Sequence, residues 1–188
     1  MEDKYELKNR GRLGFGPNDV RKIDMLGRVI ELTHEGITWQ GDPRHFDLLQ
    51  EYFGMDDKTK VLTKNGYEDG SEQVELRETE LSMEECKAFR MIAARLNYMA
   101  QDNPWLQFPA KEVCRNMAKP RASDFMKTKR LVRFLKGTGE IKFLYAWQNE
   151  DEACDITVLV DSDWAGNTET RKSTSGGVLK VGKHVIRT

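Results

Sequence analysis

Cysteine is scarce in this chain: Cys86, Cys114 and Cys154 are odd in number, far apart and without a Cys-x-x-Cys pairing. Such a set builds no disulfide framework, and since two of the three fall at apolar helix positions, all three read as reduced, buried small residues. Histidine is as sparse, and the scatter of His34, His45 and His184 argues against a zinc site. No apolar stretch approaches a membrane span. The N-terminus, Met1-Glu2-Asp3-Lys4-Tyr5, lacks the basic and apolar regions of a secretory signal. An intracellular location, in the cytoplasm or nucleus and without membrane contact, is therefore expected. Internal repeats are absent, and so is an overall excess of one charge sign, the formal net charge being -1.

What is present is ordinary for a globular protein. A chain of 188 residues, 38% hydrophobic and 32% charged, suffices for one respectable core or two small ones. Its charge is unevenly distributed. Asp42 to Glu85 carries thirteen acidic and five basic side chains, whereas Lys111 to Lys136 carries nine basic and two acidic. The second block suits a polyanion.

Periodicity divides the chain. The segment to about Thr38 has short apolar pieces and glycine-marked turns, and Val20 to Leu32 fits either a strand or a helix. Asp42 before Pro43 predicts a capped helix start, and Phe46, Leu49 and Phe53 mark its apolar stripe up to Gly54. Lys64 to Glu80, rich in Gly, Glu and Asp, reads as a linker. Ser82 and Glu85 form a capping box ahead of a helix whose Cys86, Phe89, Ile92, Ala93, Leu96 and Ala100 share one face. A second helix is expected over Phe108 to Met117, and a third, capped by Ser123, up to Gly137. In that third helix Phe125, Leu131, Val132 and Leu135 form the apolar side. Lys127, Lys129, Arg130, Arg133 and Lys136 cover the other, with Phe134 beside them in reach of a base or sugar. Strands are expected at Ile141 to Trp147, Ile156 to Val160, Gly177 to Val181 and His184 to Arg187, the last two joined by a Gly182-Lys183 turn.

Two neighbouring motifs carry the chemistry. The apolar run Ile156-Thr157-Val158-Leu159-Val160 delivers Asp161-Ser162-Asp163-Trp164-Ala165-Gly166, and Arg171-Lys172-Ser173-Thr174-Ser175-Gly176-Gly177 follows. A rigid strand ending in a carboxylate is a common way to present a metal ligand, although a strand-end Asp in a turn with Trp164 packed nearby is the plainer reading. Gly166 to Ser173 only superficially suggests a phosphate-binding loop, because Arg171 stands where the second glycine is needed and no helix pattern follows.

The pair of motifs resembles the opening of the ribonuclease H domain in copia-type retrotransposon Pol polyproteins, which runs Ser-Asp-x-Asp-Trp-Ala-Gly and then Arg-Lys-Ser-Thr-Ser-Gly, with Val160 here replacing the first Ser. Upstream, Phe89-Arg90-Met91-Ile92-Ala93-Ala94-Arg95-Leu96-Asn97-Tyr98-Met99-Ala100 is similar to that family's Tyr-Arg-x-x-x-Gly-x-Leu-x-Tyr-Leu-Ala helix. Lys129 to Thr138 resembles its Lys-Arg-x-x-Arg-Tyr-Leu-Lys-Gly-Thr segment. Departures occur as well: Asn103-Pro104-Trp105-Leu106 stands in place of Arg-Pro-Asp-Ile, and Ala94 in place of a glycine.

The resemblance implies an α+β fold: short strands and a helix, a cluster of about three helices, then the opening β-hairpins of an incomplete ribonuclease H-like domain. Its segments would be 1–63, the end of a reverse transcriptase palm/thumb-like region; 64–80, an acidic linker; 81–150, a connecting helical region with a closing strand; and 151–188, a truncated ribonuclease H-like start. The intact parent would be an RNA-directed DNA polymerase with ribonuclease H activity, dependent on magnesium, acting on an RNA/DNA template-primer. Asp161 corresponds to its first catalytic, metal-binding aspartate. Its other acidic ligands have no counterpart after Asp163, where only Glu169 occurs, in the wrong place, and no Tyr-x-Asp-Asp or Phe-x-Asp-Asp polymerase segment is present. The expectation is a Pol fragment, with the remainder of the polyprotein as a possible partner, that catalyses neither reaction and holds no cofactor by itself. The alternative is a host-used nucleic-acid-binding module acting through the basic helix 123–136. The apolar strand Ile156 to Val160, left with an edge and a face uncovered without the rest of its domain, predicts poor solubility or a partner that supplies the missing part.

Overall fold

The computed structural model describes residues 11–64, 79–166 and 171–188. It is an α+β protein whose chain divides into two compact units, residues 40–142 and residues 1–39 with 143–188. Most of the expected linker over residues 64–80 lies outside the described residues.

The second of these units is built of strands. Strands β1 (Lys22–Met25), β2 (Arg28–Leu32), β3 (Gly36–Gln40) and β4 (Lys142–Ala146) form a sheet in that order. The sequence leaves Val20 to Leu32 open between strand and helix; the chain there makes an antiparallel hairpin, Met25 facing Arg28. Leu26 and Gly27 both take positive φ, 52° and 76°, the mirror-image turn geometry whose twist matches a tight hairpin. Thr33 closes the next turn, its N–H and hydroxyl both reaching the carbonyl of Gly36 at 2.8 and 2.9 Å.

The second sheet of this unit runs β5 (Ile156–Ser162), β6 (Ser175–Val181), β7 (His184–Arg187), all antiparallel. The Gly182-Lys183 turn joins β6 to β7 as the sequence suggests. A one-turn helix, Glu150–Ala153, precedes β5, capped by the Asn149 side chain accepting the N–H of Glu152 at 2.8 Å. His184 ties the two sheets together: its Nε2 lies 2.7 Å from the carbonyl oxygen of Ala146. β5 stands at the edge of its sheet with all seven residues exposed, Ile156 at 71%, Val158 at 61% and Val160 at 81%.

The unit spanning 40–142 is helical and holds the main core. Helix α1 (Arg44–Tyr52) buries Leu49, α2 (Met83–Met99) buries Phe89, Ile92, Ala93 and Leu96, α3 (Pro104–Arg115) buries Leu106, Ala110 and Val113, and α4 (Ala122–Thr138) buries Leu131, Val132 and Leu135. These side chains make one continuous cluster. The α2 stripe is the one that the 3.6-residue spacing predicts. Its capping box is also present, the Ser82 hydroxyl accepting from Glu85 N–H at 3.2 Å and the Glu85 carboxylate accepting from Ser82 N–H at 2.8 Å. Those bonds, with the Ser82 backbone N–H the larger cause, lower the Glu85 pKa.

Five local expectations need correction. Pro43, not Asp42, occupies the cap position of α1; Asp42 instead accepts the Arg44 N–H at 3.0 Å and pairs with its guanidinium at 2.6 Å. Helix α3 starts at Pro104 rather than Phe108, since proline at the first helical position sacrifices no intrahelical donor. Helix α4 starts at Ala122, and Ser123 is buried within its first turn; the end is held by Asp124, whose carboxylate accepts the Arg121 N–H at 2.9 Å. The same helix passes through Gly137 and is capped by Gly139 at φ 71°. Gly137 serves packing instead: a Cβ there would sit 2.8 Å from the Leu62 carbonyl oxygen. The cysteines also differ from expectation, because Cys154 is exposed while Cys86 and Cys114 are partly buried. Burial raises the Cys114 thiol pKa.

Candidate functional site

Helix α4 is the natural starting point, since it carries all five expected cations. Its amphipathic pattern turns Thr128, Leu131, Val132 and Leu135 inward and leaves the basic ridge on the outside. The ridge is not uniform. Arg133 donates from Nε to the carbonyl of Lys60 at 2.7 Å, and Lys136 donates from Nζ to the carbonyl of Asp56 at 2.7 Å. The Leu62 N–H returns to the Arg133 carbonyl at 3.3 Å. Arg133 and Lys136 thus fasten the segment after α1 onto the C-terminal half of α4. Lys129 is exposed, and Lys127 and Arg130 are half-buried, in the N-terminal half. Phe134 is not beside the ridge as a stacking surface; at 7% exposure it belongs to the core. A phenyl ring at that position completes the apolar face next to Leu131 and Leu135, which outweighs the charged neighbours in deciding where it points.

Asp161 sits near the end of β5, exposed, opposite Gly176 in the register. Asp163 does different work. Its N–H donates to the Thr174 carbonyl at 3.0 Å and its carboxylate accepts the Thr174 N–H, so it closes the connection between β5 and β6. Ala165 N–H adds a bond to the Ser173 hydroxyl at 3.1 Å. Trp164 does not pack against this turn but stands 92% exposed. Among the described residues, no three His, Cys, Asp or Glu side chains gather as a metal site would require. Two magnesium ions need several convergent carboxylates. Asp161 with Asp163 turned toward its own loop does not fit that requirement.

A feature the sequence did not reveal is a cavity of about 320 Å³ within the helical unit, where α1 and α3 begin and α2 and α4 end. Asp42, Asp47, Asp102 and Glu140 line it together with Phe46 and Tyr98. Its walls come from three separated stretches of chain, so no local pattern announces it. Beside it His45 packs on Tyr98 with ring centroids 4.5 Å apart, and Arg95 Nη1 lies 3.2 Å from His45 Nδ1. Arg44 holds the Asp42 carboxyl below its ordinary pKa, mainly through the side-chain hydrogen bond. Any stability from that pair is present above the ordinary carboxylate pKa and lost as pH falls through the lowered one.

Comparison with known proteins gives this architecture a lineage. The chain is 34% identical over 98 residues to an uncharacterized mitochondrial protein of Arabidopsis thaliana, a stretch covering 52% of this chain and 40% of that protein. Over 98 residues it is 29% identical to the retrovirus-related Pol polyprotein from transposon RE2 of the same plant, and 26% identical to that from transposon RE1. The chain is a relative of retrotransposon Pol polyproteins. The copia-type resemblance read from the motifs therefore has independent support. The match covers 6% of each Pol polyprotein's length, so the Pol-related chain corresponds to a small part of those relatives. No protein-family model matches it, and no solved structure does.

Proposed function

We propose that this Pol-related chain is a non-catalytic piece of a retrotransposon Pol polyprotein, comprising connecting helices and the first strands of a ribonuclease H-like domain. The match of 98 residues to two Pol polyproteins carries the reading. The β5–β6–β7 order, antiparallel throughout, is compatible with the opening of such a domain. In the parent, magnesium would activate water and stabilise the leaving oxygen during RNA hydrolysis. Here one exposed carboxylate, Asp161, corresponds to that chemistry. Asp161→Asn is expected to leave the chain's behaviour toward an RNA–DNA hybrid unchanged, both binding and cleavage; loss of a metal-dependent cleavage on that substitution would refute the reading.

A second reading, nucleic-acid contact through α4, is favoured by the exposure of Lys129 in the N-terminal half of the helix, apart from the stapling Arg133 and Lys136. Each phosphate contact contributes roughly −0.9 to the slope of log affinity against log salt. Lys129→Ala should therefore weaken binding to a duplex and flatten the slope by about 0.9. Arg133→Ala should instead lower stability by about 1 kcal/mol through loss of the bond to Lys60, with the slope unchanged. Fluorescence anisotropy across a salt series, paired with urea unfolding, separates the two effects. Equal loss of slope in both variants would contradict the division of the ridge.

A further inference from the structure

We propose that β5 pairs with β5 of a second copy of this chain, antiparallel across a two-fold axis centred on Leu159, so that two three-stranded sheets become one continuous sheet. The backbone bonds at the two ends of β5 fix which groups are free to do this. Asp163 N–H donates to the Thr174 carbonyl at 3.0 Å, and Gly182 N–H donates to the Asp155 carbonyl at 2.7 Å. Both pairs extend the single register that runs along β5 and β6, so the odd-numbered residues from 155 to 163 bond inward. The N–H and C=O groups of Ile156, Val158, Val160 and Ser162 therefore point away from β6, along an edge that no described strand covers.

Length and charge name the occupant. The edge runs seven residues with neither proline nor lysine, the usual guards of an exposed strand. Among the described residues the other outer strands, β1, β4 and β7, are four or five residues long, so another β5 is the match in length. Centring on Leu159 pairs all seven residues: Val158 meets Val160 of the second copy, Ile156 meets Ser162, and the Asp161 carboxylate falls opposite the Thr157 hydroxyl. Centring on Val158 instead would oppose Asp155 to Asp161 twice over, and a parallel pair would set Asp161 beside Asp161, both repulsive. Centring on Val160 leaves Ile156 beyond the end of the facing strand. In the favoured register Asp155 meets Asp163 only outside the strand, where the Asp163 carboxylate is already turned to the Thr174 N–H.

Sedimentation equilibrium of the full chain should give a mass that rises with concentration from one chain to two and stops there. Leu159, 55% exposed, would face its own counterpart in a non-hydrogen-bonded pair, about 4.5 Å between Cα atoms and within disulfide reach. Thr157 would lie about 13 Å along the strand from its counterpart. With the exposed Cys154 removed by Cys154→Ser, Leu159→Cys should form a reducible covalent dimer under oxidised glutathione at least about ten-fold faster than Thr157→Cys. If the cysteine variants fail to fold, hydrogen exchange of the unmodified chain decides. The N–H groups of Val158 and Val160 should then exchange more slowly as concentration rises, while that of Leu159, already bonded to β6, changes little. A single-chain mass at every concentration, which would leave the edge to a different partner, growth beyond two chains, equal crosslinking at both positions, or exchange indifferent to concentration would each overturn the proposal.

Discussion

Phe89→Ala should destabilise the helical unit by about 3–5 kcal/mol, a large part of the stability of an ordinary domain. Phe89 is fully buried in the first half of α2, in the same cluster as Leu106, Val113 and Leu131 from α3 and α4. Truncation removes the transfer energy of a phenyl ring and leaves a void that three helices cannot close without losing their own contacts. Met83→Ala, at the 89% exposed start of the same helix, should change stability by no more than about 0.5 kcal/mol. Urea unfolding followed by circular dichroism reads both. A loss below about 1 kcal/mol at Phe89 would mean that α2 is not the centre of the core.

Val158→Lys combined with Val160→Lys should convert a self-associating chain into a dispersed one. Strand alternation puts Ile156, Val158 and Val160 on one face, and the register sets them opposite Val181, Leu179 and Gly177 on β6. Among the described residues β5 also offers an open edge, since β6 is its neighbour on one side alone. Apolar side chains exposed beside unpaired backbone groups template pairing with other strands, and lysine on such an edge prevents it. Light scattering over a concentration series provides the test. An unmodified chain that stays monodisperse throughout would show that the exposed strand is tolerated.

Local signals in the sequence carried most of the architecture. The capping box at Ser82 and Glu85 and the spacing from Phe89 to Leu96 defined α2, because cap chemistry and a single apolar stripe agree there. The strands around Asp161 and the Gly182-Lys183 turn were equally readable. Long-range effects were not. Gly137 resembles a helix terminator, yet its role is to admit the Leu62 backbone, a contact between residues 75 positions apart. Phe134 lies among cations in sequence but is drawn inward with Leu131 and Leu135. Arg133 and Lys136 look identical to Lys129 on a helical wheel, and it takes the path of residues 56–62 to assign them a structural task.

The cavity shows the same limit from another direction. Asn103 registers in the sequence as a departure from Arg-Pro-Asp-Ile, without a reason for its consequence. In the structure it borders a space rich in carboxylates.

The most direct test of the central claim is cleavage of a labelled RNA strand in an RNA–DNA hybrid, with magnesium present, by the purified chain. The account predicts a cleavage rate equal to that of a protein-free blank, identical for the unmodified chain and for Asp161→Asn. Metal-dependent hydrolysis that disappears in Asp161→Asn would contradict it and make this chain an enzyme.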